Sequence, residues 1–292
     1  MKYLSFLFII ISSSIYSQIG QYNNYPTMHY YHILDDKLDS ISFAFSMRQV
    51  NTSYIGPFVK LRRASDNAEL DFCKGQDDIV DIDSINSWRN GSDVFITTWY
   101  DQSGLGRNAV QTNTTFQPRF IPDPARPYFF GDGTDDRLDV LTDIKTLTNN
   151  GANGTVFSVY YSTNRNQTSW GSSGGGYRWF VHLNWGNGQA YFDPGQCCNN
   201  PRSFVNPGNT WSTLTCIRTT TNVIMRRNNI QQFNSAYTLS DFLGSSNFGI
   251  LHTGAGSSFA TNRFTELIMY KYDIANSKVS AIELDEISFW NL

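Results

Sequence analysis

The chain alternates short apolar or aromatic runs with turn-forming residues along most of its length. Phe58-Val59-Lys60-Leu61-Arg62-Arg63 reads as a strand, Ala64-Ser65-Asp66-Asn67 as a turn, and Ala68 to Phe72 as the returning strand of a hairpin. Val94 to Tyr100 is another strand, closed by the turn Asp101-Gln102-Ser103-Gly104, where Asp101 is read as a turn-capping acid. Further strands are predicted over 155–161, 177–185, 189–193, 202–205, 213–218, 222–227 and 264–270. Two segments switch to helical spacing. Ile82, Ile85 and Trp88 fall on one face behind a capping Asp81, and Asn90-Gly91 stops that helix. Residues 277–289 form a C-terminal amphipathic helix with Val279, Ile282 and Ile287 on its packing side. Residues 18–40 read as an ordered arm or a first strand. No linker, low-complexity tract or fixed-period repeat divides the chain. The pattern predicts an all-β fold: one antiparallel β-sandwich with one short internal helix and a C-terminal helix.

Composition agrees. Of 292 residues, 16% are charged and 15% aromatic, which argues against disorder, coiled coil and helical bundle. The net charge of −3 speaks against a general nucleic-acid binder. At the N-terminus, Lys2 precedes an apolar run from Leu4 to Ile11, and small residues follow as far as Ser17. This reads as a cleaved secretory signal over 1–17, too short for a permanent span, leaving 18–292 as a single exported domain, secreted or held at the cell surface, with no membrane insertion. Export permits disulfides among Cys73, Cys197, Cys198 and Cys216, with the pairing open. The cysteine and histidine spacings match no zinc site.

The charges are unevenly placed. Of 25 acids, 18 lie between Asp35 and Asp143, whereas 145–265 holds only Asp193 and Asp241 against eight Lys or Arg. That basic stretch also carries Trp170, Tyr177, Trp179, Trp185, Tyr191 and Trp211. Aromatic faces stack on sugar C–H surfaces, and polar side chains read hydroxyls. With Asn187-Gly188 as a tight turn, alternation sends Arg178, His182, Asn184, Tyr191 and Asp193 to one face. Trp179, Val181, Leu183, Trp185 and Phe192 go to the other, inward face, and His182 faces Asp193 across the strands. The polar set, with Trp170 beside the mobile-loop glycines 174–176, is the candidate ligand-binding surface; the same pattern also describes a merely solvated face. Gly131-Asp132-Gly133-Thr134-Asp135-Asp136 suits either a strand-connecting turn or a calcium ion, and no other cofactor is expected.

Several motifs resemble a known family. Ser46-x-Arg48-x-Val50, Tyr54-x-Gly56-Pro57, Arg62-Arg63-x-Ser65-Asp66 and Thr98-Trp99-Tyr100-Asp101-Gln102-Ser103-Gly104 resemble the concanavalin A-like (laminin-G-like) β-sandwich, or jelly roll, nearest to the catalytic sandwich of the α-L-arabinofuranosidase B family. Trp185-Gly186-Asn187-Gly188-x-x-Tyr191-Phe192-Asp193 is similar to a hairpin of laminin-G-like domains, and Phe264 to Tyr270 plus the following helix to their closing strand and tail. The resemblance implies a sandwich whose outer, concave sheet takes carbohydrate. It also implies two catalytic carboxyls, since glycoside hydrolysis needs a pair across one sugar bond. Here the chain departs. The family's Asp-Leu-Glu-Asn-Gly glutamate has no counterpart, and the stretch matching its acid/base aspartate, His252 to Ser258, holds no acid.

Three readings follow. The first is a non-catalytic, exported module that binds a polysaccharide or glycoconjugate, acidic ones included, or serves adhesion. The second is an arabinofuranosidase-like hydrolase with rearranged acids, for which Asp193 and Glu266 are the candidates, although Glu266 shares a strand face with Phe264, Ile268 and Tyr270 and is read as structural. The third is a polysaccharide lyase working through Arg178, His182 and Tyr191.

Overall fold

In the computed structural model, residues 31–163, 167–195, 203–236, 241–254 and 256–292 are described. The chain divides into residues 1–30 and 31–292, and the first unit, with the expected signal segment, lies outside the described residues, as do Cys197 and Cys198. In chain order the elements begin β1 (Ile41–Ser46), β2 (Val59–Arg63), β3 (Glu69–Phe72), α1 (Ile82–Arg89), β4 (Val94–Trp99), β5 (Ala109–Val110), β6 (Arg119–Ile121) and β7 (Tyr128–Phe130). They continue with β8 (Leu138–Asp143), α2 (Ile144–Leu147), β9 (Gly154–Tyr161), β10 (Trp170–Gly174), β11 (Tyr177–His182), β12 (Gln189–Gly195) and β13 (Ser203–Val205). The last are β14 (Trp211–Arg218), β15 (Asn222–Arg227), β16 (Ile230–Ala236), β17 (Asn247–Ile250), β18 (Arg263–Tyr270) and α3 (Asn276–Trp290).

All pairings are antiparallel, and they build two layers. The first runs β3-β2-β4-β5-β8-β17-β10-β11-β12-β13. The second runs β1-β18-β9-β14-β15-β16. Strand β4 joins them. Along one edge it pairs β2; along the other, Thr98 and Trp99 pair β5 while Val94 and Phe95 pair β6, which leads through β7 to β18. Alternate residues of both layers, among them Phe45, Trp99, Phe129, Leu138, Trp179, Phe192, Leu214 and Phe264, meet in one buried core.

The hairpin over 58–72 forms as expected, as does α1, where the Asp81 carboxylate accepts from the Ser84 N–H and Asn90 ends the helix in the left-handed region. Helix α3 lies on the outer face of the second layer, packed over a second cluster with Phe157, Ile217, Ile268 and Tyr270. Its buried side carries Val279, Ile282, Glu283, Glu286 and Trp290, and Ile287 is only partly buried, a correction to the expected packing face. The two glutamates are admitted by arginines reaching from the sheet: Arg226 bonds Glu283, and Arg48 stands between Glu266 and Asp285 next to Glu286. Among the described residues, no helix is long and apolar enough to cross a membrane.

Candidate functional site

The outer face of the ten-stranded layer is crossed by one continuous row of directly opposed residues: Asp139 on β8, Gly249 on β17, Gly171 on β10, Phe180 on β11 and Asp193 on β12. Their chain neighbours Leu138, Val140, Phe248, Trp170, Trp179, Val181 and Phe192 turn into the core, which fixes the row as outward-facing. The two glycines at its centre are required by close approach. A Cβ on Gly171 would lie 2.3 Å from the Trp179 carbonyl oxygen at a φ of +129°, and one on Gly249 would lie 2.5 Å from His252 Nε2. The glycines let Phe180 lean onto β10 and let His252 fold down over β17. His252 is buried, with Nε2 2.9 Å from Asp139 Oδ1 and its ring stacked on Phe259. Arg137 Nε stands 3.7 Å from Asp139 Oδ2.

At the other end of the row, Asp193 is buried and its Oδ2 lies 3.4 Å from Arg178 Nη1. The Arg178 guanidinium sits 5.4 Å from the Phe180 ring centre, and Phe180 meets His182 edge-on at 5.0 Å. His182 Nδ1 is 2.9 Å from the Gln167 carbonyl oxygen, and its ring meets Trp185 at 4.5 Å. Arg178, His182, Tyr191 and Asp193 therefore share the outer face. Asn184 lies beyond the end of β11, buried beside Gly208.

Three expectations change. The register is offset by two residues: His182 lies opposite Tyr191, and Asp193 opposite Phe180. The cause is the turn. Trp185 N–H bonds the Gln189 carbonyl and Gly188 N–H bonds the Trp185 carbonyl, so the reversal is wider than a two-residue Asn187-Gly188 turn. Trp185 is 36% exposed, since alternation lapses after His182, whereas Trp170 is fully buried and stacks on Phe248 in the core. Of the glycines read as a loop, Gly174 ends strand β10, and Gly175 and Gly176 make its tight turn into β11.

Glu266 lies on the other layer, so the structure does not bring it to Asp193. Its carboxylate accepts from Arg48 Nε at 2.8 Å, Arg48 Nη2 at 3.0 Å, Ser46 Oγ at 2.7 Å and Trp290 Nε1 at 3.1 Å. Four donors on a fully buried carboxylate make a structural anchor for β1 and α3. A register shift between Phe264 and Glu266 turns Phe264 into the inter-sheet core, away from the face shared by Glu266, Ile268 and Tyr270. Cys73, which is exposed, and Cys216, which is buried, carry free thiols, so neither forms a bridge the sequence left open, while Cys197 and Cys198 lie outside the described residues; burial pushes the Cys216 thiol up. Asp101 caps its turn, accepting from Ala44 and Ser103 N–H on one oxygen and from Arg107 N–H on the other. The carboxylates of Asp132, Asp135 and Asp136 lie within 4.8 Å of one another. Asp132 Oδ1 already accepts the Thr134 and Asp135 N–H groups, and burial beside Asp132 pushes Asp136 up to about 7.

Sequence reasoning missed Asp139 and His252. The alternation Leu138-Asp139-Val140 carried a strand signal for the first, but nothing local links it to a histidine on a distant loop. It also missed β1, although Ile41, Phe43 and Phe45 alternate with Ser42, Ala44 and Ser46; all six residues are buried.

No family model and no curated relative matches the chain. Solved structures do. A GH54 α-L-arabinofuranosidase soaked with a cyclic sulfate inhibitor matches with a TM-score of 0.69 and 14% identity over 88% of this chain and 64% of that one. An arabinofuranosidase complexed with arabinofuranosyl-α-1,2-xylobiose matches with a TM-score of 0.66, at the same identity and coverage. The chain thus spans just under two thirds of the length of these two solved structures, and it shares with them an antiparallel β-sandwich fold.

Proposed function

We propose that this protein is an exported, non-catalytic carbohydrate-binding or adhesion module, and that the outer face of the ten-stranded layer holds a polysaccharide or glycoconjugate. The observation that carries the reading is the spacing of acids on the cross-sheet row. Asp139 and Asp193 sit four strands apart, about 19 Å along the sheet. Glycosidase carboxyl pairs stand about 5–9.5 Å apart. The same face offers Arg178, held by the buried Asp193, and Tyr191 for hydroxyls, with Trp185 as the exposed ring for a sugar face. Likeness to arabinofuranosidases supports carbohydrate as the ligand class, and the apolar N-terminal run supports export.

Affinity electrophoresis of the mature protein through a panel of polysaccharides tests the reading. Retardation by at least one, weakened by Arg178→Ala, is the expected result; free migration through all of them overturns it. Arabinose release from an aryl arabinofuranoside that disappears in Asp193→Asn or Asp139→Asn also overturns it. The lyase reading keeps one observation in its favour: His182 and Tyr191 are direct cross-strand partners with Arg178 on the same face. Growth of ultraviolet absorbance from unsaturated products on a uronan would select it.

A further inference from the structure

The opposite layer carries an arrangement that the first site does not use. On its outer face, Trp211 stands opposite Tyr161, Tyr161 opposite Arg263, and Arg263 opposite Phe130, one row across β14, β9, β18 and β7. The chain neighbours Tyr160, Phe264 and Phe129 are in the core, so the row faces outward, and each of its members is partly exposed. Tyr128, two residues before Phe130, joins from the same face. Tyr128 and Tyr161 both meet Trp211 edge-on, with ring centres 5.6 and 5.8 Å apart. The Arg263 guanidinium lies 4.5 Å from the Tyr161 ring centre and 5.1 Å from that of Tyr128. The Arg126 guanidinium lies 4.8 Å from the Trp211 ring centre.

The two guanidiniums here are in no ion pair among the described residues. Arg48, Arg119, Arg218 and Arg226 each hold a carboxylate. Among the described residues, Arg126 and Arg263 have none within 4.0 Å. Arg126 donates to the Trp290 carbonyl, and the nearby Asp123 uses Oδ1 on the Ala125 and Arg126 N–H groups. Four rings and two guanidiniums without an ion-pair partner therefore share one partly exposed surface. A ring face takes the C–H side of a sugar, and a guanidinium fork takes a carboxylate through two parallel hydrogen bonds.

We propose that this surface is a second saccharide site, separate from the first, and that its ligand is a carboxylate-bearing sugar, a uronate unit of an acidic polysaccharide. Charge complementarity selects that ligand over a neutral glycan, since a neutral sugar leaves both guanidiniums without a counter-charge.

The test is isothermal titration of the full chain with a short oligogalacturonate and with its carboxyl-reduced, neutral counterpart. Wild type binds the uronate and binds the neutral form at least fivefold more weakly, and raised salt weakens the uronate alone. Arg263→Gln loses at least fivefold in uronate affinity with an unchanged melting temperature. Trp211→Phe, which keeps an aromatic face, retains most of the affinity, whereas Trp211→Ala does not. Arg263→Gln lowers uronate affinity by the same factor in an Arg178→Ala background, so failure of the first site and failure of this one are distinguishable. Equal affinity for the two ligands, no uronate binding, or full affinity in Arg263→Gln overturns the proposal.

Discussion

Replacing Glu286 by glutamine isolates what the fold loses by enclosing a carboxyl. Glu286 is fully buried under α3, and neither of its oxygens has a hydrogen-bond partner among the described residues. Burial pushes its pKa well above 4.5, the Glu266 charge raises it further, Arg48 lowers it, and Glu283 and Asp285 add to the rise. The folded protein thus keeps a proton that the unfolded chain releases once pH exceeds about 4.5. Stability accordingly falls with rising pH, by about 1.4 kcal/mol for each pH unit through which Glu286 stays protonated in the fold. Glutamine has nearly the same shape and no proton to lose. Urea unfolding of both proteins at pH 5, 6, 7 and 8 is the assay. The two should be close at pH 5, and Glu286→Gln should gain on wild type as pH rises, by at most about 1.4 kcal/mol per unit. Parallel stability curves over this range would refute the reasoning, because they would mean that the carboxyl ionises alike in both states.

Three further outcomes are expected. Glu266→Gln should cost about 3 kcal/mol by leaving Arg48 short of its buried partner, yet leave polysaccharide binding unchanged in affinity electrophoresis. Gly171→Ala should lower the melting temperature by an amount equivalent to more than about 1 kcal/mol, since a side chain there meets the Trp179 carbonyl at a left-handed φ; an unchanged transition in calorimetry would contradict the crowding. Asp136→Asn should flatten stability between about pH 4 and pH 7, because a pKa lifted from 3.8 to about 7 makes the wild type lose stability as pH rises through that window.

Much of the architecture was legible from local rules. Two-residue alternation identified β2, β3, β4 and the inward faces of β11 and β12, and cap chemistry bounded α1. The candidate site was legible as a set of residues and not as an arrangement. Its register depended on how many residues the turn after Trp185 spans, and Asn187-Gly188 alone does not say. Trp170 and Trp185 exchanged roles for a related reason: exposure of a large ring is decided by which layer lies beneath it. The pairing of Gly171 with Gly249, which puts Asp139 and Asp193 on one row, completes a row of five strands drawn from separate parts of the chain, and no window of sequence contains it. Glu283 on the packing side of α3 broke helical amphipathicity because its partner, Arg226, lies on another element.

Because β4 belongs to both layers, the sandwich is bound along one side like a book along its spine, with β13 and β16 as the fore-edge. Backbone hydrogen bonds resist any parting of the leaves at the spine, whereas no strand pairing among the described residues joins β13 to β16 at the fore-edge. Amide protons of β16 should therefore exchange with solvent long before those of β4. Any ligand that bridges strands from β8 to β12 would stiffen one leaf without closing the other.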